Sequence, residues 1–407
     1  MINRLSCEWM SLKLSSPIVV ASLTPFSKAR IEEHINFISK AISFGAGAVV
    51  LPSINPSRHG SSEMNEVIID TQIINTGIRK NDAMAFSLLG PTVPNIVSIE
   101  YGLKLALESK RTFKDFPIIA SIACIGNDEI IVDVVSELVN THIDGIELNC
   151  SCPNAETLEG DFRGRISVLI SRIREVTNIP LSLKISPYYD YSKIIYDNGA
   201  KINGITISNA YIGLVPPSLN NYSFSPYKKT ERWAPGGIYG PFEKELTFYQ
   251  LYGFKEIAKE LSLDIACVGG IVNGDDAVQA ILLGATIVEI SSGIVWNGLQ
   301  IIKRMNEKLV SYLDTNNSRK IIDIRGKALF KIEKCADDLS SDIKHAVSKI
   351  DHKKCHQCVE CNCLNRLCFA LYRDGTNKIQ IDSDLCSGCG WCVSSCMHKA
   401  IELEVLE

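Results

Sequence analysis

Residues 144–154 read Asp-Gly-Ile-Glu-Leu-Asn-Cys-Ser-Cys-Pro-Asn, a predicted buried strand that continues into a polar loop. The first part is apolar enough to lie in a core, and Pro153 prevents the backbone from continuing as strand or helix. The loop carries a thiol, Cys152, between the amides of Asn149 and Asn154. Two amides can hold a planar ring by donor and acceptor groups while a thiol moves a proton. We predict an active site here; the alternative is that Cys152 is a small buried hydrophobic residue.

The same unit, a short apolar strand followed by a helical pattern, recurs along the chain. Eight strand candidates are bounded by Gly, Pro, Asn or Asp: Pro17–Ala21, Ala46–Leu51, Pro117–Ala123, Asp144–Asn149, Leu181–Ile185, Gly204–Ser208, Asp264–Val268 and Ala285–Ile290. Helical periodicity between them includes Ile31–Ser43, Glu129–Thr141, Ile166–Thr177, Leu246–Leu261 and Asp275–Leu283. Strands that alternate with helices pair in parallel, and eight such units close a barrel. We therefore predict an α/β fold, a (β/α)8 TIM barrel, with an open doubly wound sheet as the alternative.

Composition indicates a globular protein and gives no reason to expect nucleic acid or an anionic membrane as partner. Hydrophobic residues make up 46% of the chain and charged residues 22%, and 42 basic against 46 acidic residues leave a net charge of -4. No apolar run reaches the roughly 18 residues that a membrane helix requires. Met1 to Leu14 lacks the apolar core of a signal peptide, so we expect a cytoplasmic protein.

The 407 residues fall into three predicted parts. We assign residues 1–330 to the barrel and residues 331–354, which are charged and helical in pattern, to a connector. Residues 355–407 hold nine of the fifteen cysteines and are predicted to form a small ferredoxin-like domain. In a reducing compartment such crowding of cysteines indicates metal ligation and not disulfides.

Glycines and serines at the ends of strands seven and eight predict a phosphate site. Strand seven ends in Val268-Gly269-Gly270, and strand eight is followed by Ser291-Ser292-Gly293. Glycines let backbone N–H groups approach a phosphate, and serine hydroxyls add donors. Tight turns also need glycine, but barrel enzymes often hold a phosphate at these two places. The pattern therefore favours a phosphorylated cofactor.

Other strand ends also carry polar groups. Lys184 lies inside an apolar strand, where an ammonium is costly unless it meets an anion or a flavin ring, or reaches water by extending along its stem. Ala21 and Ser22 end strand one, and Ser208 and Asn209 end strand six. A long loop after strand six leads to the segment GGIYG at residues 236–240, a length typical of lids and substrate-binding segments.

The cysteine-rich tail contains a ferredoxin spacing. Cys386-x2-Cys389-x2-Cys392-x3-Cys396 matches the bacterial run in which three cysteines bind one cluster and the fourth binds another. The first half is less regular, with Cys355-x2-Cys358-x2-Cys361 followed by Cys363 and Cys368.

Two 4Fe-4S clusters account for eight of these nine cysteines. We assign one cluster to Cys355, Cys358, Cys361 and Cys396, and the other to Cys368, Cys386, Cys389 and Cys392, which leaves Cys363 spare. The alternative, a zinc ribbon built from two Cys-x2-Cys pairs, leaves five of the nine cysteines unexplained.

The octapeptide ELNCSCPN resembles the ELNxSCPN signature of the FMN-dependent dihydroorotate dehydrogenase and dihydropyrimidine dehydrogenase family, and the resemblance runs from about Ser16 to Leu329. It implies an FMN cofactor and a pyrimidine substrate. The residues it implies for the cofactor are Ala21, Ser22, Lys184, Ser208, Gly236, Gly237, Gly240, Gly269, Gly270, Ser291, Ser292 and Gly293. It implies Asn149, Asn154 and Asn209 for the pyrimidine ring and Cys152 as the catalytic acid or base.

Two positions depart from the family pattern. Family members usually carry a lysine at the end of strand two, in a TKS or TKT context, where this chain has Pro52. The dihydroorotate enzymes also have an asparagine where this chain has Ser87. Orotate carries a carboxylate that uracil lacks, so both dihydroorotate and a dihydrouracil-type ring stay open as substrates.

A barrel with a two-cluster tail resembles the barrel subunit of bacterial NAD-dependent dihydropyrimidine dehydrogenase. No G-x-G-x-x-G follows a strand here, so we expect a separate electron-transfer partner, an NAD(P)-linked flavoprotein or a ferredoxin. We also expect a homo-oligomer. The alternatives are a flavin and iron-sulfur electron-transfer subunit, or an FMN oxidoreductase of the same fold that acts on another ring.

Overall fold

The structure is a computed structural model. It describes residues 3–23, 30–56, 97–150, 162–213, 236–333, 345–358 and 368–406, with the backbone alone of two further strands in 72–75 and 86–91. The chain divides into two compact units, Met1–Leu329 and Phe330–Glu407, and each is described by itself.

The strands are numbered in chain order. They are β1 Cys7–Trp9, β2 Leu12–Leu14, β3 Ile18–Val20, β4 Ala48–Val50, β5 Gln72–Asn75, β6 Phe86–Pro91, β7 Ile118–Ala123, β8 Gly145–Asn149, β9 Leu181–Lys184, β10 Gly204–Ile207, β11 Tyr211–Gly213, β12 Gly236–Tyr239, β13 Asp264–Val268, β14 Ile287–Ile290, β15 Ala346–Ile350, β16 Leu371–Arg373, β17 Ile379–Ile381 and β18 Ile401–Val405.

The α-helices lie mainly between the barrel strands. They are α1 Ile31–Ser43, α2 Ile99–Thr112, α3 Asp128–Asn140, α4 Phe162–Val176, α5 Ser192–Asn198, α6 Lys244–Glu260, α7 Gly274–Leu282, α8 Ser292–Asn297, α9 Gln300–Thr315 and α10 Trp391–Ser395. None of these helices combines the length and the hydropathy needed to cross a bilayer.

All eight strand candidates of the sequence form one closed barrel. Its strand order is β3-β4-β7-β8-β9-β10-β13-β14, every neighbouring pair is parallel, and β14 returns to pair with β3. The TIM-barrel prediction is therefore confirmed, and the open doubly wound sheet is wrong because the last strand closes on the first. Strands covered on both faces are mostly apolar, as β7 is, in which all six residues are buried and only Ser121 is polar.

The barrel interior changes from apolar to polar along the strands. At the end where the strands begin, the antiparallel hairpin of β1 and β2 inserts Trp9 and Met10 among inward side chains of the barrel. Ile119 and Ile287 belong to this apolar layer. Because side chains alternate along a strand, the inward residues two positions later include Ser121 and, on β14, an acid. Polar groups are thereby buried toward the end where the strands finish.

A four-stranded antiparallel sheet also belongs to the first unit, in the order β11-β12-β6-β5. The sequence predicted the GGIYG segment as part of a loop, whereas residues 236–239 form β12 and pair with β6. Ser87 lies on β6. The pairing partners of β12 lie far away along the chain, so no local pattern could reveal this sheet.

The second unit contains two small antiparallel pairs, β15 with β18 and β16 with β17. Leu371, Ile379, Cys392 and Ile401 form its buried core. The predicted helical connector over 331–354 is wrong at 346–350, which form β15. The charges that suggested a solvated helix are accommodated by the pairing, since Lys349 lies 3.0 Å from Glu404 on β18.

Candidate active site

A cavity lies at the C-terminal ends of the barrel strands, the end at which barrel enzymes place their sites. The residues that line it are Ala21, Ser22, Lys184, Ser208, Asn209, Ala210, Tyr239, Glu243, Val268, Gly269, Gly270, Ile271, Glu289, Ser291 and Ser292. Eight of the twelve residues predicted to bind the cofactor are among them. The other four are glycines: Gly236 and Gly237 lie on β12, Gly240 follows that strand, and Gly293 lies in α8.

A larger cavity lies at the opposite end of the barrel, beside the hairpin of β1 and β2. Its central carboxyl, Asp264, accepts hydrogen bonds from the backbone N–H of Met10 at 2.7 Å and from Thr286 Oγ1 at 2.9 Å. These bonds tie the hairpin to the barrel. We assign this face to stability, because the N-terminal face of such barrels is rarely the site of chemistry.

The turn after β13 brings the backbone close to α6. Gly269 and Gly270 have φ angles of +128° and +73°, which residues with a side chain rarely adopt. A Cβ on Gly269 would lie 2.5 Å from Thr247 Oγ1, and one on Gly270 would lie 2.6 Å from the Cα of Lys244. Glycine is therefore required here by conformation and by space, and the bare backbone lines the cavity as a phosphate cradle would.

Lys184 is buried, with 6% of its surface exposed, and its ammonium points into a group of acids. Its Nζ lies 3.8 Å from Oε1 of Glu147, which is fully buried on the adjacent strand. Glu243 and Glu289 line the same cavity and are also buried. The charge of Glu147 thus holds the lysine inside the barrel, away from bulk water. A cation that is to face a bound cofactor needs such a buried environment.

Burial changes the protonation of two of these acids. For Glu289, burial and then the charge of Glu147 raise the pKa to about 8, against the opposing charge of Lys184. For Glu243, burial raises the pKa to about 8, although backbone N–H groups of Tyr211 and Gly240 and the charge of Lys184 lower it. The cavity wall therefore contains carboxyl groups that are largely neutral at pH 7.

Hydroxyls connect the cofactor side of the site to the predicted substrate side. Ser53 Oγ lies 3.1 Å from Ser22 Oγ and 2.7 Å from Ser121 Oγ, and Ser121 donates to Glu147 at 3.1 Å. Asn149 Nδ2 also donates to Ser53 Oγ, at 3.3 Å. A single buried hydroxyl thus joins three groups, and it directly follows Pro52, where the sequence resemblance implies a lysine.

Two of the three predicted substrate amides meet in the structure. Asn209 Nδ2 donates to Asn149 Oδ1 at 3.2 Å, and β8 and β9 pair so that Asn149 lies opposite Lys184. Cys152 and Asn154 lie outside the described residues. The neighbouring thiol of Cys150 is fully buried, 3.1 Å from Cys124 Sγ, and burial raises its pKa well above the usual range. Cys150 is therefore no candidate for proton transfer at neutral pH.

The sequence analysis missed three acids and one hydroxyl of this site. Glu147 and Glu289 are charged residues inside apolar strands, the same signal that identified Lys184, and it could have found them. Ser53 and Glu243 carry no local signal, because each lies in a segment of ordinary turn composition. Only the tertiary structure brings them to the cavity.

In the second unit, N–H groups and a hydroxyl meet several of the predicted cluster ligands. Ser348 N donates to Cys386 Sγ at 3.3 Å and Ala400 N donates to Cys396 Sγ at 3.3 Å. Burial raises the pKa of Cys386, but backbone N–H groups of Ser348 and Gly388 outweigh it and leave that pKa below its usual value. Hydrogen bonds to sulfur are a feature of cluster-binding thiolates, so these cysteines fit an iron-sulfur site.

Seven of the eight predicted ligands fall within the described residues. They are Cys355, Cys358, Cys368, Cys386, Cys389, Cys392 and Cys396. Cys361 and the spare Cys363 lie outside them. Cys355, Cys368 and Cys396 pack around the small core that contains Cys392. Among the residues that the structure describes, no three His, Cys, Asp or Glu side chains converge on a single metal ion.

Comparison with known proteins identifies both units. Residues 93–313 match the family model described as dihydroorotate dehydrogenase, and residues 379–402 match the model described as 4Fe-4S binding domain. The second match contains Cys386, Cys389, Cys392 and Cys396.

Curated relatives carry one shared name, dihydroorotate dehydrogenase B (NAD(+)), catalytic subunit. The protein of Thermoplasma volcanium is 27% identical over 81% of this chain and 99% of its own length. That of Pyrococcus furiosus is 26% identical over 79% of this chain and 97% of its own. That of Archaeoglobus fulgidus is 26% identical over 76% of this chain and 94% of its own.

The glycine turn after β13 offers a direct test of the cradle. Gly270→Ala should lower the free energy of unfolding by about 1–3 kcal/mol. Residue 270 has a left-handed backbone conformation, and the new Cβ would clash with the backbone of α6. The substitution should also weaken FMN binding. Gly253→Ala is the matched control: it lies within α6 with nothing within 4 Å of its Cβ, and should stabilise by about 0.5–1 kcal/mol.

Chemical denaturation followed by circular dichroism, and FMN titration followed by fluorescence, measure the two effects. Unchanged stability and unchanged FMN affinity in Gly270→Ala would contradict the assignment.

Proposed function

This chain belongs to the dihydroorotate dehydrogenase family, and on that premise we propose that it interconverts a dihydropyrimidine and its unsaturated pyrimidine with FMN as cofactor. The observation that carries the proposal is the cavity at the C-terminal ends of the strands, where a buried lysine, a glycine turn and two amides meet. A reducing cytoplasm suits both the flavin and a cysteine-rich cluster domain.

The residues around this cavity fit a flavin mononucleotide. Lys184 would hold the ring, since a cation there favours the reduced, anionic form, and Gly269, Gly270, Ser291 and Ser292 would hold the phosphate. FMN, when bound, supplies the acceptor for a hydride. The bare backbone at the two glycines, with no room for a Cβ, is the feature of this chain that supports the fit.

The predicted substrate residues would perform the remaining chemistry. Oxidation of a saturated CH–CH bond releases one hydrogen as a hydride and its neighbour as a proton. Asn149, Asn154 and Asn209 would bind the ring by donor and acceptor groups, and Cys152 would take the proton from the adjacent carbon. A free thiol has a pKa of about 8.5, so modest tuning suffices for proton transfer at neutral pH.

Electrons would leave through the second unit. We assign two 4Fe-4S clusters to it, with Cys355, Cys358, Cys361 and Cys396 for one and Cys368, Cys386, Cys389 and Cys392 for the other. A separate NAD(P)-linked flavoprotein or a ferredoxin would exchange electrons with them. The relatives named as catalytic subunits support a partner subunit, and their name favours dihydroorotate as the substrate.

A feature at the end of β4 supports a second candidate function, the oxidation of an uncharged dihydropyrimidine ring. Pro52 is buried at the position where the sequence resemblance implies a lysine, and the hydroxyl of Ser53 beside it is hydrogen-bonded to Ser121. A neutral hydroxyl cannot neutralise a carboxylate, so this departure favours an uncharged ring such as dihydrouracil or dihydrothymine. A pure electron-transfer subunit is less well supported, since a carrier needs no amides beside the flavin.

The substrate can be identified by reduction of the bound flavin. The full chain, purified anaerobically, is mixed separately with dihydroorotate, dihydrouracil and dihydrothymine, and the flavin absorbance near its visible maximum is followed. We expect one of the three to bleach the flavin within the turnover range of about 1–1000 per second. Subsequent addition of NAD should leave the protein reduced, because the nicotinamide site is expected on the partner.

Two results would contradict this picture. A flavin-loaded chain that none of the three reduces would refute the pyrimidine assignment. Rapid reoxidation by NAD in the isolated chain would refute the separate partner.

The role of Cys152 has a matched control in the same segment. Cys152→Ala should retain FMN and slow flavin reduction by a factor of about 100 or more, because the proton acceptor is lost. Cys150→Ala removes a buried thiol that packs against Cys124 and should leave the rate within a few-fold of the wild type. Stopped-flow reduction measures both rates; an equal rate in Cys152→Ala and wild type would refute the assignment.

The cluster assignment predicts metal content. Two clusters require about eight iron atoms and eight acid-labile sulfides per chain. Cys368→Ala should lower both to about four, whereas Cys363→Ala should leave both unchanged. Iron and sulfide analysis of anaerobically purified protein measures both contents. Loss of iron in Cys363→Ala but not in Cys368→Ala would show that Cys363 is the ligand and Cys368 is the spare cysteine.

A further inference from the structure

The cofactor cavity contains an imbalance of charge. Three buried carboxyl groups, Glu147, Glu243 and Glu289, lie near the buried ammonium of Lys184. If all three acids were ionised, the region would carry two uncompensated negative charges in a low dielectric. Such charges are costly, so some of these acids must hold protons.

Hydrogen bonds distinguish the three acids. Oε1 of Glu147 lies 3.8 Å from the ammonium of Lys184 and accepts from Ser121, while its Oε2 has no hydrogen-bond partner among the described residues. Glu243 accepts a hydrogen bond from the backbone N–H of Tyr211 at 3.2 Å. Glu289 is fully buried, and among the described residues neither of its oxygens has a hydrogen-bond partner. Glu289 is therefore the least favourable place for a negative charge.

The position of Glu289 allows a proton on its carboxyl group to be donated into the cavity. The residue lines the cavity two residues before Ser291, on the strand whose end we assign to the phosphate. A protonated carboxyl has one O–H to donate. A buried donor without an acceptor is costly, and the cavity is the space from which an acceptor can come.

We propose that Glu289 is a neutral acid that donates a hydrogen bond to an acceptor atom of the bound flavin, and that its proton is required for tight FMN binding. This inference rests on the proposed cofactor. Glu147 then serves a different purpose: it pairs with Lys184 and holds it in place. Of these two acids, only Glu147 has an ammonium within 4 Å and a hydroxyl hydrogen-bonded to it among the described residues.

The titratable groups around Glu289 support this assignment. Glu147 disfavours its ionisation, and Lys184 favours it but is already shared with Glu147. Cys267, on the neighbouring strand β13, is a buried thiol whose own pKa is raised by burial and by the charge of Glu289. The net effect raises the pKa of Glu289 to about 8. The proton is therefore present at pH 7 and is lost as the pH rises through about 8.

The experiment is FMN titration of the apo form of the full chain between pH 6.5 and pH 9.5, followed by quenching of flavin fluorescence. For the wild type, the dissociation constant of FMN should rise above pH 8 by up to about tenfold per pH unit for each proton required. Glu289→Gln keeps a neutral donor at all pH values. The logarithm of its FMN dissociation constant should rise with pH above 8 with a slope that is smaller than the wild-type slope by one.

Two variants separate Glu289 from its neighbours. Ser291→Ala removes a neutral donor from the same cavity wall and should weaken FMN binding equally at every pH, with the wild-type slope retained. Glu243→Gln should keep the slope that belongs to Glu289. A wild-type slope in Glu289→Gln would overturn the inference while leaving FMN binding intact. Failure of the wild type to bind FMN at all would overturn the proposed function as well.

A second measurement serves if Glu289→Gln does not fold. In Glu243→Gln, the carboxyl group that remains protonated in the cavity is that of Glu289. The infrared C=O band of this carboxyl should move to lower frequency when FMN is added, because its O–H has gained an acceptor. The absence of an FMN-induced carboxyl band at pH 7 would overturn the inference.

Discussion

A buried ammonium inside the barrel is the constraint on which the site depends. Lys184 lies on β9 with almost no exposure, and the desolvation of such a charge must be offset by an anion and by hydrogen bonds. The parallel register of β8 and β9 places Glu147 within 3.8 Å and brings Asn149 opposite the lysine. The strand register thus fixes the positions of Lys184 and Asn149, the cation and the amide of the proposed site, at the same time.

Hydroxyl groups extend this constraint across the barrel. Ser121 on β7 and Ser53 after β4 form a chain of hydrogen bonds from Glu147 toward Ser22, and Asn149 joins the same chain. These bonds restrict the side chains that they join, although Oε2 of Glu147 has no hydrogen-bond partner among the described residues. This serine network begins directly after Pro52, the position at which the sequence resemblance to the family implies a lysine.

Particular residues show how far the sequence could lead. Each barrel strand was found from local composition, and the glycines at 269 and 270 were found because tight turns and close backbone approach both require glycine. The strand at 346–350 was missed because its partner, β18, lies about fifty residues away in the chain. Ser53 and Glu243 were missed because nothing in their neighbouring residues distinguishes them from ordinary turn residues.

The sequence by itself determined the eight barrel strands and the residues at their ends, because periodicity and turn chemistry are local properties. The pairing of β14 with β3 decided that these strands close into a barrel and do not form an open sheet. The sequence also determined the ferredoxin spacing of the tail. Only the tertiary structure decided which buried charges meet. Glu147 and Glu289 are both acids in apolar strands, yet one lies beside Lys184 and a hydroxyl and the other has no such partner among the described residues. That difference depends on distances between strands, and no local pattern in the sequence contains them.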